Sequence, residues 1–390
     1  MDKNFNFNQI LLLIIGLWPY QKSKFAQIRY ICIFIICTTG ILFQFTAFLT
    51  SNCTADFIIK VLSSVFPMIS VEIKYISFFV NNKAVKYLIN YLQCIYANLK
   101  DHNEVIIIEK YGSKAKRYTI ALTITALMIA QALIHLIVQM WPSFCNIIVS
   151  INGSQKRSLF MVTEYFINQE KYFYFLFLHM YIFYYVGIFI IIATGTSLYA
   201  YLQYACGMFK IASYRIESAM EIYTSQKIPK NENLLHKSII YAIDIQRRAI
   251  SFCECIQTTF EVTFIFLIAF GVLALSLNIF QVYQILSSGR DIEELLMPYF
   301  SSVSCILYMF FANVIGQEVT DHYNYMYDTT YKTQWYLAPL HIQKLVIFLL
   351  QRGNKSFGLS VCGLFVSSLE CFATLVNTSI SYFIVMYSVR

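Results

Sequence analysis

Charged residues are scarce in this chain. Asp, Glu, Lys and Arg make up 13% of its 390 residues, whereas about a quarter of the residues of a soluble domain are charged. Hydrophobic residues make up 58% of the chain. This composition excludes an ordinary soluble domain and predicts a protein that crosses a membrane several times. The net charge of +8 is accompanied by no nucleic-acid-binding motif, so we expect no nucleic acid among its partners.

Enzyme motifs are also absent. The sequence contains no HExxH zinc motif, no GxSxG nucleophile elbow and no phosphate-binding loop. Its six histidines are scattered, and most of its eleven cysteines lie within apolar runs. In such runs a cysteine behaves as a small hydrophobic residue. The sequence therefore predicts no enzyme, no metal site and no cofactor.

Seven apolar stretches have the length that crossing a bilayer requires. A helix rises about 1.5 Å per residue, so about 20 residues cross the hydrocarbon layer. Lys60, Glu72 and Lys74 interrupt the second stretch. The last stretch, Leu359–Val389, carries Glu370 and several hydroxyl residues, which are costly in a membrane unless they face protein or water. The other six stretches are Tyr30–Leu49, Phe57–Val80, Tyr118–Met140, Phe173–Ala200, Phe260–Tyr283 and Pro298–Val314.

Lys and Arg are unequally distributed between the two sides of these spans. Of the 29 in the chain, 22 lie in residues 1–29, 81–117, 210–250 and 315–358, and five lie in the alternate segments. The positive-inside rule therefore places the amino terminus in the cytoplasm and, after seven crossings, the carboxyl terminus outside.

Two N-glycosylation sequons agree with this orientation. They begin at Asn52 and Asn152, in segments that the charge distribution places outside the cell. Cys53 and Cys145 are the cysteines of these same external loops, which leaves a disulfide between them open.

Some segments between the spans also have helical character. Residues 81–117 and 210–251 combine helical apolar periodicity with many charges, which indicates that the helices continue into the cytoplasm. Ile342–Leu350 is apolar but too short to span a membrane. It is expected to form a packing or subunit interface, and an amphipathic helix on the membrane surface is the alternative.

Aromatic and polar residues in the outer halves of the spans are candidates for a ligand pocket. Gln131 and His135 are four residues apart in the third span, where they bond a neighbouring helix or contact a ligand. Tyr283 and Tyr299, near the outer ends of the fifth and sixth spans, are further candidates. A row at helical spacing in the fourth span either lines an apolar cavity or packs against other helices and the membrane interface. The row consists of Phe173, Phe177, Met180, Tyr181 and Tyr184.

Short motifs spread over most of the chain resemble those of a known family. They are Gly16-Leu17-Trp18-Pro19, Lys74, Gly316-Gln317, Trp335-Tyr336, Lys344, Arg352, Lys355, and most specifically Ser368-Leu369-Glu370 and Ser381-Tyr382-Phe383. Together they resemble the insect odorant receptors, a family of seven-span ligand-gated cation channels. Ser356 departs from the pattern, since many members have proline there. The tail lacks the terminal motifs of the related gustatory receptors.

The resemblance implies an odour-tuned subunit, because residues 210–251 are too short for the cytoplasmic insertion of the shared co-receptor. Such a subunit would bind a volatile, mostly apolar odorant in an outer-leaflet pocket. It would assemble with the co-receptor as a heterotetramer and pass small cations across the lipid of the sensory-neuron plasma membrane. We expect an all-α, single-domain architecture: a cytoplasmic segment (1–29), six pocket-bearing helices (30–314), a cytoplasmic anchor segment (315–358) and a pore helix (359–390).

The same resemblance assigns pore residues by position. The family's apolar gate falls on Val385 and Val389, which are four residues apart and so share a helical face; such a ring can close a pore by dewetting. Plain helix–helix contact is the alternative for both. Glu370 lies in the inner ion path or braces the helix. Ser388 and Tyr382 are candidate wall residues, with packing between helices favoured for Tyr382.

Two other functions stay open on the sequence alone. One is a gustatory-type receptor channel of the same superfamily. The other is a transporter of a small apolar solute, although transporters are commonly built from internal repeats and no repeat is visible here. A G-protein-coupled receptor is disfavoured by the opposite orientation and by the absence of its helix-end motifs.

Overall fold

The chain folds as a bundle of long helices. The computed structural model describes residues 2–21, 23–99, 101–149, 162–169, 171–225, 232–288, 292–353 and 357–389. The helices are α1 (Asp2–Ile14), α2 (Lys24–Phe45), α3 (Ala47–Thr50), α4 (Ala55–Val80), α5 (Asn82–Asn98), α6 (His102–Val149), α7 (Phe173–Ser225), α8 (Glu232–Ser288), α9 (Ile292–Lys332), α10 (Leu340–Gly353) and α11 (Leu369–Ser388). A 3-10 turn (Trp335–Leu337) precedes α10, and a hairpin of β1 (Ser360–Val361) and β2 (Phe365–Val366) precedes α11.

Several helices are long and apolar enough to cross a membrane. Within the described residues there are five such segments, and α4, with its interrupting charges, is not among them. The predicted total of seven crossings and the predicted orientation of the termini stay predictions. The five segments are Lys24–Thr50, Phe173–Ser225, Glu232–Ser288, Glu294–Lys332 and Leu369–Ser388.

Helix α7 is the centre of the bundle. Between Ala200 and Ser213 every residue except Lys210 is buried, as expected of a helix that is surrounded by other helices. With 53 residues in α7 and 57 in α8, both helices exceed the roughly 20 residues that a membrane crossing needs. The helical continuation that the sequence predicts beyond the spans is therefore present.

A buried ion pair ties three of these extensions together. Arg215 of α7 donates through Nε and Nη2 to the two carboxylate oxygens of Glu104 at 2.5 and 2.8 Å. Its remaining nitrogen, Nη1, donates to the carbonyl oxygen of Tyr241 at 2.8 Å. Because Glu104 belongs to α6 and Tyr241 to α8, one guanidinium connects all three helices.

The amino-terminal helix packs into the bundle. Leu11 and Leu12 are buried, and Asn8 Nδ2 donates to the carbonyl oxygen of Thr196 at 3.1 Å. The chain then turns at Gly16, which has φ +74°. Helix α1 is therefore packed against α7.

The stretch that the sequence predicts as a single helix from Leu359 is interrupted. Its first residues form the β1–β2 hairpin, in which Ser360 pairs with Val366 and Gly363 has φ +68°. Helix α11 starts only at Leu369, where the Ser368 hydroxyl accepts from the backbone N–H of Cys371 at 3.1 Å and caps the helix. The chain is predominantly helical, in agreement with the predicted all-α class, but the prediction of one continuous helix from Leu359 is wrong.

The predicted glycosylation and disulfide residues are only partly described. Asn52 is exposed in the connection between α3 and α4. The Cys53 thiol donates to the carbonyl oxygen of Phe48 at 3.6 Å. Asn152 and the side chain of Cys145 lie outside the described residues.

Candidate functional site

A cavity of about 1900 Å³ lies among helices α4, α6, α7, α8 and α9. A pocket for one small ligand usually measures about 300–1,000 Å³, so this space exceeds the needs of a single odorant-sized molecule. Its walls are mainly apolar and aromatic, as binding of an apolar molecule requires. Its aromatic lining residues include Phe57, Phe177, Tyr184, Phe264, Phe300 and Tyr308.

Small residues and a proline help to keep this space open. Gly187 and Gly195 both line the cavity from α7. A Cβ added at Gly187 would contact Met68 Sδ at 3.7 Å, and one at Gly195 would contact Lys74 Nζ at 3.9 Å. Pro67 lies inside α4 on the same cavity wall, and a proline removes one helical hydrogen bond.

Three buried polar groups in the cavity wall lack partners. Lys74 Nζ, Thr163 Oγ1 and Gln281 Nε2 have no hydrogen-bond partner within the described residues. Asn278, by contrast, donates through Nδ2 to the carbonyl oxygen of Ser63 at 3.1 Å. Buried polar groups are almost always hydrogen-bonded, so these three are available to the polar end of a ligand.

The predicted aromatic row of α7 is divided between the cavity and helix packing. Phe177 and Tyr184 line the cavity. Phe173 and Met180 are buried outside its lining, and the rings of Phe173 and Phe177 stack at 6.2 Å. Tyr181 packs against the following turn of its own helix. Helical spacing selects a face, and the neighbouring helices determine which parts of that face meet open space.

Three other predicted pocket residues lie away from the cavity wall, namely Gln131, Tyr283 and Tyr299. Gln131 Oε1 accepts from the hydroxyl of Tyr185 at 2.8 Å, which is an interhelical bond between α6 and α7. Tyr283 and Tyr299 are exposed on the subunit surface. The side chain of His135 lies outside the part of the chain that the structure describes.

The polar cavity residues of α8 were not singled out from the sequence. Asn278 and Gln281 are three residues apart in an apolar span, and this spacing on one helical face was the signal that could have found them. Lys74 was noted only as an interruption of its span and as part of a motif. Thr163 lies in an irregular segment, where no periodic pattern indicates which side chains point inward.

Helix α11 has one packed face and one polar face. Leu375 and Ser379 are buried, and the Phe383 ring packs against Phe280 and Tyr283 of α8 at 6.4 and 5.8 Å. The opposite face is exposed in the single subunit, and its polar residues recur at helical spacing. We call these residues the polar stripe: Glu370, Thr374, Asn377, Ser381 and Ser388.

The predicted gate residues flank the carboxyl-terminal end of this stripe. Val385 and Val389 are exposed, and Val389 donates its backbone N–H to the Val385 carbonyl oxygen at 3.2 Å. Ser388 is exposed beside them, and Tyr382 is also exposed in the single subunit. Glu370 lies in the first turn, at the other end of the helix. All five residues therefore face away from the subunit core.

The cavity and the last helix share a wall. Cys371 and Leu375 of α11 line the cavity. Helix α8 contacts both, since it presents Asn278 to the cavity and Phe280 and Tyr283 to α11. A change in the position of α8 would therefore alter both the cavity wall and the contact with α11.

A polar network closes the cavity at the Glu318 end. The Glu318 carboxylate accepts from Lys114 Nζ at 2.9 Å and from Gln203 Nε2. His322 Nδ1 lies 2.7 Å from the Glu318 carbonyl oxygen, and its Nε2 lies 2.7 Å from the Tyr111 hydroxyl. Burial raises the pKa of Tyr111 to about 12, so this hydroxyl keeps its proton at neutral pH. Within the described residues no cluster of His, Cys, Asp and Glu has the arrangement of a metal site.

Comparison with known proteins gives the same fold. The structure of the insect olfactory receptor OR5 from Machilis hrabei in complex with eugenol superposes with a TM-score of 0.79 at 16% identity, covering 100% of this chain and 98% of that chain. A second structure of the same receptor gives a TM-score of 0.72 with the same identity and coverage. No curated protein sequence matches this chain.

The family follows from the sequence match. The sequence profile of the 7tm odorant receptors matches residues 54–380, which is most of the chain. The structural likeness supports the fold, and the resemblance predicted from the sequence motifs is confirmed. The family consists of receptors rather than enzymes. The chain belongs to the 7tm odorant receptor family.

Proposed function

We propose that this chain is an odour-tuned subunit that binds a small, volatile, mostly apolar molecule and opens a non-selective cation pore together with a co-receptor. One observation carries the proposal: the apolar cavity shares a wall with α11, through Cys371 and Leu375. The insect receptor with the same fold has been solved with eugenol, which supports a small organic ligand for this chain.

Apolar burial would supply most of the affinity. Removing apolar surface from water contributes about 25 cal/mol per Å², so burial of about 300 Å² contributes about 7.5 kcal/mol before the cost of association is subtracted. Such binding opens a pore only if the ligand has a higher affinity for the open state than for the closed state. A ligand with equal affinity for the two states leaves their populations unchanged. Helix α8 is the element through which that preference would reach α11.

In the assembled channel the polar stripe would face the ion path. Intramembrane polar groups are costly against lipid, and Glu370, Asn377 and Ser381 are exposed in the single subunit. A central pore formed by several copies of α11 would give these groups water. Val385 and Val389 would form the outer constriction, and Glu370 would lie nearer the cytoplasm. Seven crossings with a cytoplasmic amino terminus are part of this proposal.

The segment before α11 would hold the subunits together in the cytoplasm. Helix α10 buries Ile342, Val346 and Leu349 against its own subunit. Its other side exposes Leu340 and Phe348, a pair of large apolar residues that a partner subunit would cover. Leu340 and Phe348 would thus form the subunit interface that the sequence predicts for this helix.

Current recordings test the proposal. Cells that express this chain with a co-receptor should give ligand-evoked cation current to some members of a broad panel of volatile molecules. Silence across the panel, with the receptor present at the cell surface, would contradict the proposed function. Expression in olfactory rather than gustatory neurons is expected, in the plasma membrane.

Substitutions in α11 test the pore assignment separately. Val385→Ala and Val389→Ala should change basal current or ion selectivity, because they widen the apolar constriction. Ile380→Ala is the matched control: Ile380 is also exposed, but it lies five residues before Val385 and therefore points about 140° away from it around the helix. Unchanged conduction in both valine variants would assign these residues to helix packing.

A further inference from the structure

The cavity contains a lysine that has no anionic partner among the described residues. Lys74 is 3% exposed, lines the cavity, and its Nζ has no hydrogen-bond partner within the described residues. Glu72, two residues earlier, lies across the helix and accepts from the Thr38 hydroxyl at 2.6 Å. A buried ammonium is normally paired, because transfer of an isolated charge out of water is costly.

Other cations at this cavity are paired. Lys60 in its lining lies 3.7 Å from Glu294. Lys114 lies 2.9 Å from Glu318, which lines the opposite end. Lys74 differs from both, since the described residues place no carboxylate within ion-pair distance of its Nζ.

The immediate surroundings of the Lys74 ammonium leave space for a ligand. The Nζ atom lies 4.4 Å from the ring centroid of Tyr308, and this cation–π contact compensates only part of the lost hydration. On another side lies Gly195, where even an added Cβ would stay 3.9 Å from Nζ. An ammonium has three N–H donors and no acceptor, so what is missing is an anionic acceptor.

We propose that Lys74 binds the carboxylate of an organic acid whose aliphatic chain lies in the apolar part of the cavity. A carboxylate supplies both the absent counter-charge and two acceptor oxygens, and charge-assisted hydrogen bonds are the strong ones. An alcohol or ester of equal length offers an acceptor without the charge. The inference rests on the proposed function, since it names one class of ligand for the same cavity.

The position of Lys74 gives the orientation of such a ligand. Lys74 is 19 residues after Ala55, the first residue of α4, which corresponds to about 28 Å along the helix. The carboxylate would therefore lie deep in the cavity. The aliphatic chain would extend past Gly187 and Met68 towards the beginning of α4.

A matched ligand series tests the proposal in cells. Concentration–response curves are recorded for straight-chain carboxylates from butanoate to decanoate and for the primary alcohols of the same length. Lys74→Met replaces the lysine with a slightly shorter, unbranched side chain that has no charge. In this variant the half-maximal concentration of the best carboxylate should rise about tenfold or more, and that of the alcohol should change by less than about threefold. Lys110→Met is the control, because Lys110 is an exposed lysine of α6 outside the cavity lining; it should leave the acid response unchanged.

A second variant keeps the lysine and changes only the space around it. Gly195→Ala introduces a methyl group that makes ordinary contact with Nζ, so the receptor should fold normally. The methyl group should weaken the carboxylate response more than the alcohol response. If Lys74→Met fails to reach the cell surface, Gly195→Ala decides: equal effects on both ligand series would overturn the proposal.

Direct binding separates this proposal from the proposed function. Radiolabelled octanoate should bind the purified native receptor, and Lys74→Met should lose that binding. Equal binding to both proteins, or no binding to the native receptor, would overturn the carboxylate site even if alcohols evoke current. Octanoate binding that depends on Lys74, in a receptor that never conducts, would support the site and contradict the proposed channel function alone.

Discussion

The strongest stability prediction concerns the ion pair between Glu104 and Arg215. The Nε and Nη2 atoms of Arg215 lie within 2.8 Å of the Glu104 carboxylate oxygens. The Glu104 and Arg215 side chains are only 7% and 19% exposed. Glu104→Gln keeps the size of the side chain and removes its charge. The guanidinium then stays buried without its counter-charge and loses one of the two acceptor oxygens of Glu104, while its bond to the Tyr241 carbonyl oxygen remains.

The expected cost follows from this burial. Removing one partner of a buried pair costs about 3–5 kcal/mol, because the other charge is left uncompensated. We expect the lower end, about 3 kcal/mol, since Arg215 retains hydrogen-bond acceptors and some exposure. The pair of Arg248 and Asp244 has the same 2.8 Å distance, but its side chains are 43% and 50% exposed. An exposed pair of this kind contributes about 0.3–0.5 kcal/mol.

Thermal unfolding of the purified receptor in one detergent measures the difference. Glu104→Gln should lower the melting temperature by several times the shift caused by Asp244→Asn, the exposed control. The double variant Glu104→Gln/Arg215→Met should recover part of the loss, because it also removes the unpaired cation. Equal shifts for Glu104→Gln and Asp244→Asn would refute the argument that burial sets the strength of this pair.

Two further substitutions test the segment before α11 and the outer loop. A Cβ at Gly316 would lie 2.7 Å from the Ser367 carbonyl oxygen, so Gly316→Ala should displace the cap of α11 and change basal current per receptor at the surface. Gly187→Ala is the control and should leave basal current unchanged, because the nearest atom to its added Cβ is 3.7 Å away. Identical basal currents in the native receptor and in Gly316→Ala would contradict the steric argument. Asn52→Gln should remove one glycan and therefore increase the electrophoretic mobility of the receptor. Unchanged mobility would show that Asn52 is not glycosylated.

Patterns within one segment were readable from the sequence. The low charge content predicted a membrane protein, and the terminal motifs predicted the odorant receptor family, which the family match confirms. The polar stripe of α11 was visible as hydroxyl residues and Glu370 in an apolar stretch. These features are local, because helical periodicity and transfer into a membrane depend on residues that are close in sequence.

Contacts between segments that are distant in the chain could not be predicted from the sequence. The sequence indicated one face of the fourth span, but only packing divides that face, so that Phe177 and Tyr184 line the cavity and Met180 does not. The hairpin at Ser360–Val366 depends on the positive φ of Gly363 and on pairing of two-residue strands. Strands this short carry no periodicity that a sequence pattern can reveal.

The sequence by itself therefore determined the class of protein, its long helices and the two-sided character of its last helix. Tertiary structure alone decided that Lys74 lies beside Tyr308 and Gly195, which are 234 and 121 positions later in the chain. It also decided that α8 touches both the cavity and α11. The physical reason is that burial and charge pairing are properties of the assembled bundle, where helices far apart in sequence exclude water from a common space.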